Sequence, residues 1–209
     1  MSYISFFILL PYLFLLSVIG TFKRKNYDTA HSLIYYFVIL GFVAEVLMRF
    51  CASVFKNNIA VYNSVNLVEF LLLFSFYSKF LHKDLNRFVY VLVLGIFFSF
   101  YFFEISSNGF LTMMSYSFLY KNAILIFLAL MAFRKIIRLH ETTLISDHSF
   151  FWINCAVLIY YSCTLSIFGL RKYTVDLQLL NLVAIYLHLF FILVFYGLLS
   201  IGLWKTSKK

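Results

Sequence analysis

Apolar residues in this chain come in long runs that are separated by short polar stretches. A helix that crosses the hydrocarbon core of a bilayer needs about 20 mostly apolar residues. The pattern predicts seven such helices, which cover residues 2–22, 31–54, 59–81, 86–105, 110–134, 149–170 and 178–204. The longest connection, 135–148, is too short to fold as a domain. We therefore predict a single all-α transmembrane bundle of seven helices over 1–209, without a soluble domain.

The composition agrees with a lipid environment. Hydrophobic residues make up 64% of the chain and charged residues 12%, whereas a soluble domain has about 25% charged residues. The net charge of +9 does not indicate nucleic-acid binding, because the basic residues form short clusters between apolar runs and do not follow one face. The predicted environment is therefore the bilayer, with no nucleic-acid partner.

The basic clusters also predict an orientation. Twelve of the 17 Lys and Arg residues lie after the first, third, fifth and seventh runs, as in Lys23–Lys25 and Arg134–Arg138. Cytoplasmic loops carry an excess of Lys and Arg. We therefore expect the N-terminus outside and the C-terminus in the cytoplasm, in a bacterial cytoplasmic (inner) membrane.

Four ionisable residues fall near the middle of predicted spans. Glu45, Glu69, Lys121 and His188 each lie nine to eleven residues from the outer end of a different helix. A rise of 1.5 Å per residue puts all four roughly 13–17 Å below the outer surface. Ionisable residues at this depth are costly and are candidates for function.

Helical spacing predicts how these charges are neutralised. Glu45 and Arg49 are four residues apart and can form an ion pair on one helix. Glu69 shares a face with Asn66, and it can meet Lys121 and His188 across the bundle. The complete set of ligand or polar-core candidates is Glu45, Arg49, Asn63, Asn66, Glu69, Lys121, Asn122, Asn154, Tyr161 and His188. The alternative is that these groups only hold the helices together. Glu104, at the outer end of the fourth span, is expected to be an exposed interfacial carboxylate.

The pattern contains no constellation that is typical of a catalytic, metal or cofactor site. The three cysteines lie inside apolar runs without a CxxC spacing. His188 is the one deep histidine, while His31 and His148 lie at the cytoplasmic edge, which disfavours a membrane zinc hydrolase. The loop residues His140, Glu141, Asp147 and His148 do not match a standard zinc spacing. The last span lacks the lysine that a retinal protein needs. We expect no cofactor, no metal and no enzyme activity.

Three segments carry a resemblance to a known family. "YNSVNLVEF" at 62–70, "FWINCAVLIYYS" at 151–162 and the seventh span with His188 and Trp204 resemble an uncharacterised bacterial family of small seven-helix membrane proteins. That family has "N…Y…IEF", "FWIN…LIYFS" and a mid-helix His at these places. The chain departs from it with "VEF" and "YYSCT". The resemblance implies a sensory module that accompanies histidine kinases.

Three classes of function follow from these observations. The first is a sensor or receptor-like module with a mid-membrane polar site, which passes a signal to a separate cytoplasmic protein or acts as a homo-oligomer. The second is an oligomeric pore, a transporter or an accessory membrane effector. One Pro, seven Gly and no detectable repeat fit transporters poorly. The third is an intramembrane enzyme that uses Glu69 or His188 as a base.

The orientation gives a direct prediction. A green fluorescent protein fused after Lys209 should fluoresce, because this fusion folds in the cytoplasm, and an alkaline phosphatase at the same position should be inactive. Fusions in the connection 55–58 should give the opposite result. An active phosphatase at the C-terminus would contradict the predicted orientation.

Overall fold

The computed structural model describes residues 3–139, 144–174 and 178–206, with side chains for 8–138, 144–167 and 183–206. It has seven helices: α1 Tyr3–Lys23, α2 Thr29–Val54, α3 Ile59–Phe80, α4 Arg87–Asn108, α5 Tyr116–Leu139, α6 Ser149–Thr174 and α7 Gln178–Trp204. Short 3-10 turns cover Arg24–Asn26 and Ile145–Asp147. The described chain contains no strand.

Among the described residues, six helices are long and apolar enough to cross a membrane. These stretches are Thr29–Val54, Ile59–Phe80, Arg87–Asn108, Tyr116–Arg138, Ser149–Ile167 and Val183–Trp204. The all-α class is confirmed, with the helix lengths and composition of a multi-pass integral membrane protein. Crossing by α1 and the orientation stay predictions. Large apolar side chains such as Phe22 and Phe88 point outward, exposed by 83% and 68%, which suits a protein whose surroundings are lipid.

Contacts between helix ends show which ends lie together. The Lys23 ammonium at the end of α1 donates to the Trp204 carbonyl at the end of α7, with the two atoms 2.9 Å apart. Lys135 near the end of α5 donates to the Phe80 carbonyl at the end of α3, at 2.7 Å. The starts of α2 and α6 meet there through His31 and Ser149. We call this the basic end of the bundle, because the Lys and Arg clusters lie there.

The interior is filled mainly by aromatic rings. Phe37, Phe70, Phe76, Phe97 and Tyr77 are almost completely buried, and the rings of Phe70 and Phe97 join α3 to α4 with centroids 4.1 Å apart. A glycine brings α2 close to α7: a Cβ atom at Gly41 would lie 2.0 Å from the Tyr196 hydroxyl oxygen. Any larger residue at this position would therefore have to displace that tyrosine.

The start of α5 differs from the prediction. The hydrophobic run predicts a helix over 110–134, but α5 begins at Tyr116. The preceding segment is mostly exposed but is tied to α3, because the Asn63 side-chain amide donates to the carbonyls of Phe110 and Thr112, each at 2.8 Å. These carbonyls would otherwise be unsatisfied in an apolar environment. Lys121 therefore lies only five residues from the start of its helix.

The prediction of an exposed Glu104 is wrong. Its side chain is 2% exposed, and its carboxylate accepts hydrogen bonds from the backbone N–H groups of Ser115, Tyr116 and Ser117 at 2.5, 2.8 and 2.9 Å. The first N–H groups of a helix have no partner within it. Glu104 supplies those acceptors for α5, and its charge also suits the positive end of the helix dipole.

This contact predicts a large stability effect at Glu104. Glu104→Ala should lower the melting temperature in detergent by several degrees, because it leaves three N–H groups at the start of α5 without an acceptor, and that of Ser117 is buried. A buried unsatisfied group costs about 1–3 kcal/mol. The control is Asp84→Asn, which removes a carboxylate whose ion pair with Lys135 is partly exposed. That pair contributes about 1 kcal/mol or less. Equal shifts for the two variants would contradict the capping role of Glu104.

Candidate functional site

A cavity lies inside the bundle, in the half that is remote from the basic end. It has a volume of about 120 Å³ and is lined by side chains from every helix except α4. Seven of the ten predicted residues contribute to its wall: Glu45, Asn66, Glu69, Lys121, Asn122, Tyr161 and His188. The volume is sufficient for several water molecules or one small solute.

An ion pair between α3 and α5 forms one side of this cavity. The Lys121 ammonium donates to the Glu69 carboxylate with N and O 3.0 Å apart, as predicted. The Lys121 side chain is 3% exposed and that of Glu69 21%. Lys121 also lies 5.2 Å from the ring centroid of Phe118 and 5.5 Å from that of Tyr161. The carboxylate and the two rings together replace the hydration that the ammonium loses on burial.

A second ion pair lies on the α2 side of the cavity. Arg49 donates to the Glu45 carboxylate within the same helix, which confirms the predicted pairing. Glu45 is buried and reaches the cavity wall, while Arg49 lies outside the lining. His188 on α7 lines the same cavity, where its ring lies 6.0 Å from that of Tyr160.

The most informative atoms in the cavity wall are polar and unpaired. The side-chain amides of Asn66 and Asn122 and the hydroxyl of Tyr161 have no hydrogen-bond partner among the described residues. Asn122 is completely buried, and Asn66 and Tyr161 are 3% and 1% exposed. An unsatisfied buried polar group costs about 1–3 kcal/mol. Three such groups around one cavity are the arrangement that is expected where water or a polar solute can bind.

Besides Arg49, two predicted residues lie outside the wall of this cavity. Asn63 is fully buried, but its amide holds the 110–114 segment as described above. Asn154 accepts from the Tyr77 hydroxyl at 3.0 Å and donates to the Phe150 carbonyl at 2.7 Å, so it ties α6 to α3. Both side chains use their hydrogen-bonding capacity within the protein. The helical pattern places them on inward faces but does not tell which partner they meet.

Four further polar residues in the wall were missed: Tyr62, Tyr160, Thr164 and Tyr196. Three are tyrosines, in a chain with 16 of them, so their residue type gives no signal by itself. Tyr160 and Tyr161 are consecutive, and on a helix consecutive residues point about 100° apart. Both can reach the cavity because it lies between α6 and its neighbours on two sides.

A separate cleft opens at the basic end. It has a volume of about 680 Å³ and lies between the start of α2, the start of α6 and the end of α7. The His31 ring lies in its wall and makes two contacts. Its Nδ1 is 2.7 Å from the Asp28 carboxylate, and its Nε2 is 2.6 Å from the Ser149 hydroxyl. The sequence placed His31 at the cytoplasmic edge but gave no sign of this contact, because Ser149 is 118 residues away.

Within the described ranges, no group of three or more His, Cys, Asp and Glu residues is arranged to hold a metal ion. Of the four loop residues that were compared with zinc spacings, His140 and Glu141 lie outside the described residues. Asp147 forms an ion pair with Lys205, with N and O 3.2 Å apart.

Comparisons with known proteins give no further assignment: no family model, no curated protein and no solved structure matches the chain. The resemblance to sensory modules therefore stays an expectation.

The Glu69–Lys121 contact predicts strong energetic coupling. Glu69→Gln and Lys121→Met should each destabilise the protein more than the double variant does, because each single change leaves a buried charge without its partner. The double-mutant cycle, measured by unfolding in detergent, should give a coupling of about 1–3 kcal/mol. Additive effects would contradict a functional pairing of the two charges in the folded protein.

Proposed function

We propose that this protein is a receptor-like membrane module that binds a small polar solute in the mid-bundle cavity and passes the change to a separate cytoplasmic protein. The observation that carries this proposal is the set of unpaired buried polar groups on Asn66, Asn122 and Tyr161. A protein that only needed to hold its helices together would be more stable with these groups paired or replaced by apolar ones. Their retention supports a role in binding.

The chemistry of the wall favours a small zwitterion. Glu69 and Glu45 provide negative charge for an ammonium group, and Lys121 provides positive charge for a carboxylate. The Asn66 and Asn122 amides can each donate and accept. A volume of about 120 Å³ limits the solute to a few non-hydrogen atoms, so glycine, alanine and similar molecules are the proposed class.

The helices supply a route from the cavity to the basic end. Lys121 and Lys135 lie on the same helix, α5, and Lys135 contacts both the Phe80 carbonyl and Asp84 at the basic end. Tyr161 and Ser149 are similarly connected by α6. A solute that changes the Glu69–Lys121 contact would shift α5 relative to α3, and that shift would reach the basic surface where a cytoplasmic partner binds.

The pore is the second candidate, and the geometry supports it less. A continuous polar stripe of Asn63, Asn66 and Glu69 would be its natural lining. Asn63 is instead occupied by the 110–114 segment. The 110–114 segment is therefore bound to α3 one turn from Asn66, on the side of the cavity away from the basic end. There it occupies the place where the lining of a pore would continue.

Ligand binding can be tested by thermal unfolding of the purified full-length protein in detergent with a panel of amino acids. Binding at 100 times the dissociation constant stabilises a protein by about 2.7 kcal/mol, so a small zwitterion such as glycine or alanine should raise the melting temperature by several degrees. Asn122→Leu should abolish this response. It should also raise the melting temperature of the ligand-free protein, because it replaces an unpaired buried amide by an apolar group of similar size.

The matched control is Asn108→Leu, which changes an exposed asparagine at the end of α4 and should leave the response intact. A panel without any stabilising member would contradict the proposed solute class. Proton or potassium flux through proteoliposomes that Glu69→Ala abolishes would favour the pore instead.

A further inference from the structure

The contacts at the basic end have the order of a hydrolytic triad. The Asp28 carboxylate can only accept hydrogen bonds, so its 2.7 Å contact places the proton of the neutral His31 ring on Nδ1. The other ring nitrogen, Nε2, is then an acceptor. It lies 2.6 Å from the Ser149 oxygen and accepts a hydrogen bond from the hydroxyl group. The serine is thereby bound to a base that a carboxylate orients.

Each member of this array is held in place by a neighbouring element. Asp28 is the N-cap of α2 and also accepts from the His31 backbone N–H at 2.8 Å. Burial alone would raise the pKa of the Asp28 carboxyl, but its hydrogen bonds with the His31 backbone and ring hold that pKa below its usual range. Asp28 is therefore ionised at neutral pH. The Phe150 ring packs on the His31 ring with centroids 4.8 Å apart.

The position of Ser149 provides a site for developing negative charge. Ser149 is the first residue of α6, and the first N–H groups of a helix have no intrahelical acceptor. The positive end of the helix dipole of α6 lies at Ser149, so negative charge that develops beside this residue is stabilised. Ser149 and His31 both line the cleft of about 680 Å³ with 8% and 4% of their surfaces exposed, so the cleft is the side from which a substrate would approach them.

We propose that Asp28, His31 and Ser149 form a second site that hydrolyses carboxylic esters of amphipathic molecules at the membrane boundary. Ser149 is the nucleophile, His31 the general base and acid, and Asp28 a positioning residue. This site is independent of the mid-bundle cavity and of its proposed solute.

The reaction follows from the contacts. The Ser149 oxygen attacks the ester carbonyl carbon as its proton passes to His31 Nε2. The bond between this carbon and the alcohol oxygen breaks, and the departing alcohol takes the proton from Nε2. Water then attacks the acyl-serine with His31 again accepting a proton, which returns to the Ser149 oxygen as the carboxylic acid leaves.

The surroundings indicate an amphipathic substrate. Trp152 lies in the first turn of α6, as Ser149 does. Its indole N–H donates to the Ser146 carbonyl at 2.7 Å. Trp204 at the end of α7 is 60% exposed and lies under the Lys23 ammonium, 3.5 Å from its ring centroid. Tryptophans of this kind mark the boundary between lipid and water. A molecule with its ester at that level and its chain in the lipid would reach Ser149.

The first test is labelling of the full-length protein in detergent with a fluorophosphonate dye, which forms a bond from the serine oxygen to phosphorus and releases fluoride. The wild-type protein should be labelled at Ser149. The variants Ser149→Ala and His31→Gln should lose the label. The control variants Ser146→Ala and His82→Gln, which change an exposed serine and an exposed histidine, should keep it. Two results would overturn the proposal. One is a wild-type protein that is not labelled although a melting transition shows that it is folded, and the other is labelling of Ser149→Ala equal to that of the wild type.

The second test separates catalysis from a structural tie. Asn caps a helix as well as Asp does, so Asp28→Asn should leave the melting temperature within about 2 °C while kcat for a p-nitrophenyl ester falls at least about tenfold with KM little changed. An unchanged kcat would overturn the role of Asp28. In mixed micelles the laurate ester should have a kcat/KM at least about tenfold above that of the acetate ester. Equal values would overturn the amphipathic substrate class.

Discussion

The contact between the Lys121 ammonium and the Glu69 carboxylate constrains the rest of the bundle more than any other interaction. Lipid offers neither charge a partner, so α3 and α5 must bring them together. To do so, α5 begins at Tyr116, and the segment before it is tied to Asn63 on α3. Glu104 then accepts from the first N–H groups of α5. The start of a helix, a tethered loop and a buried carboxylate thus all accompany one ion pair.

The sequence predicted the helices well and their partners unevenly. Apolar runs of the right length identified the seven helices, and the i, i+4 spacing identified the Glu45–Arg49 pair, because both signals are local. Glu69 and Lys121 were paired because opposite charges at similar depth must neutralise each other. The exposure of Glu104 was predicted wrongly because its carboxylate accepts hydrogen bonds from the next helix. Hydrophobicity alone cannot show where a non-helical segment such as 109–115 replaces the start of a span.

The two sites use the bundle in different ways. The mid-bundle cavity is enclosed by six helices and contains unpaired amides and a hydroxyl, which suits reversible binding of a solute. The cleft at the basic end is open, and its Asp28, His31 and Ser149 are fully hydrogen-bonded to one another. The α2 and α6 helices contribute to both sites, through Glu45 and His31 and through Tyr161 and Ser149. A rotation of either helix would therefore move side chains of both sites.

The placement of the charged pairs also has a consequence for biogenesis. Glu45 and Arg49 lie on one helix, so α2 enters the bilayer with its charges already neutralised against each other. Glu69 enters with α3, and its cation arrives only with α5, two helices later. Until then a carboxylate remains in the membrane without its counter-ion, so α3 must stay near the translocon or be held by a chaperone until α5 arrives. The folding order of this protein is thus constrained by the distance along the chain between two side chains.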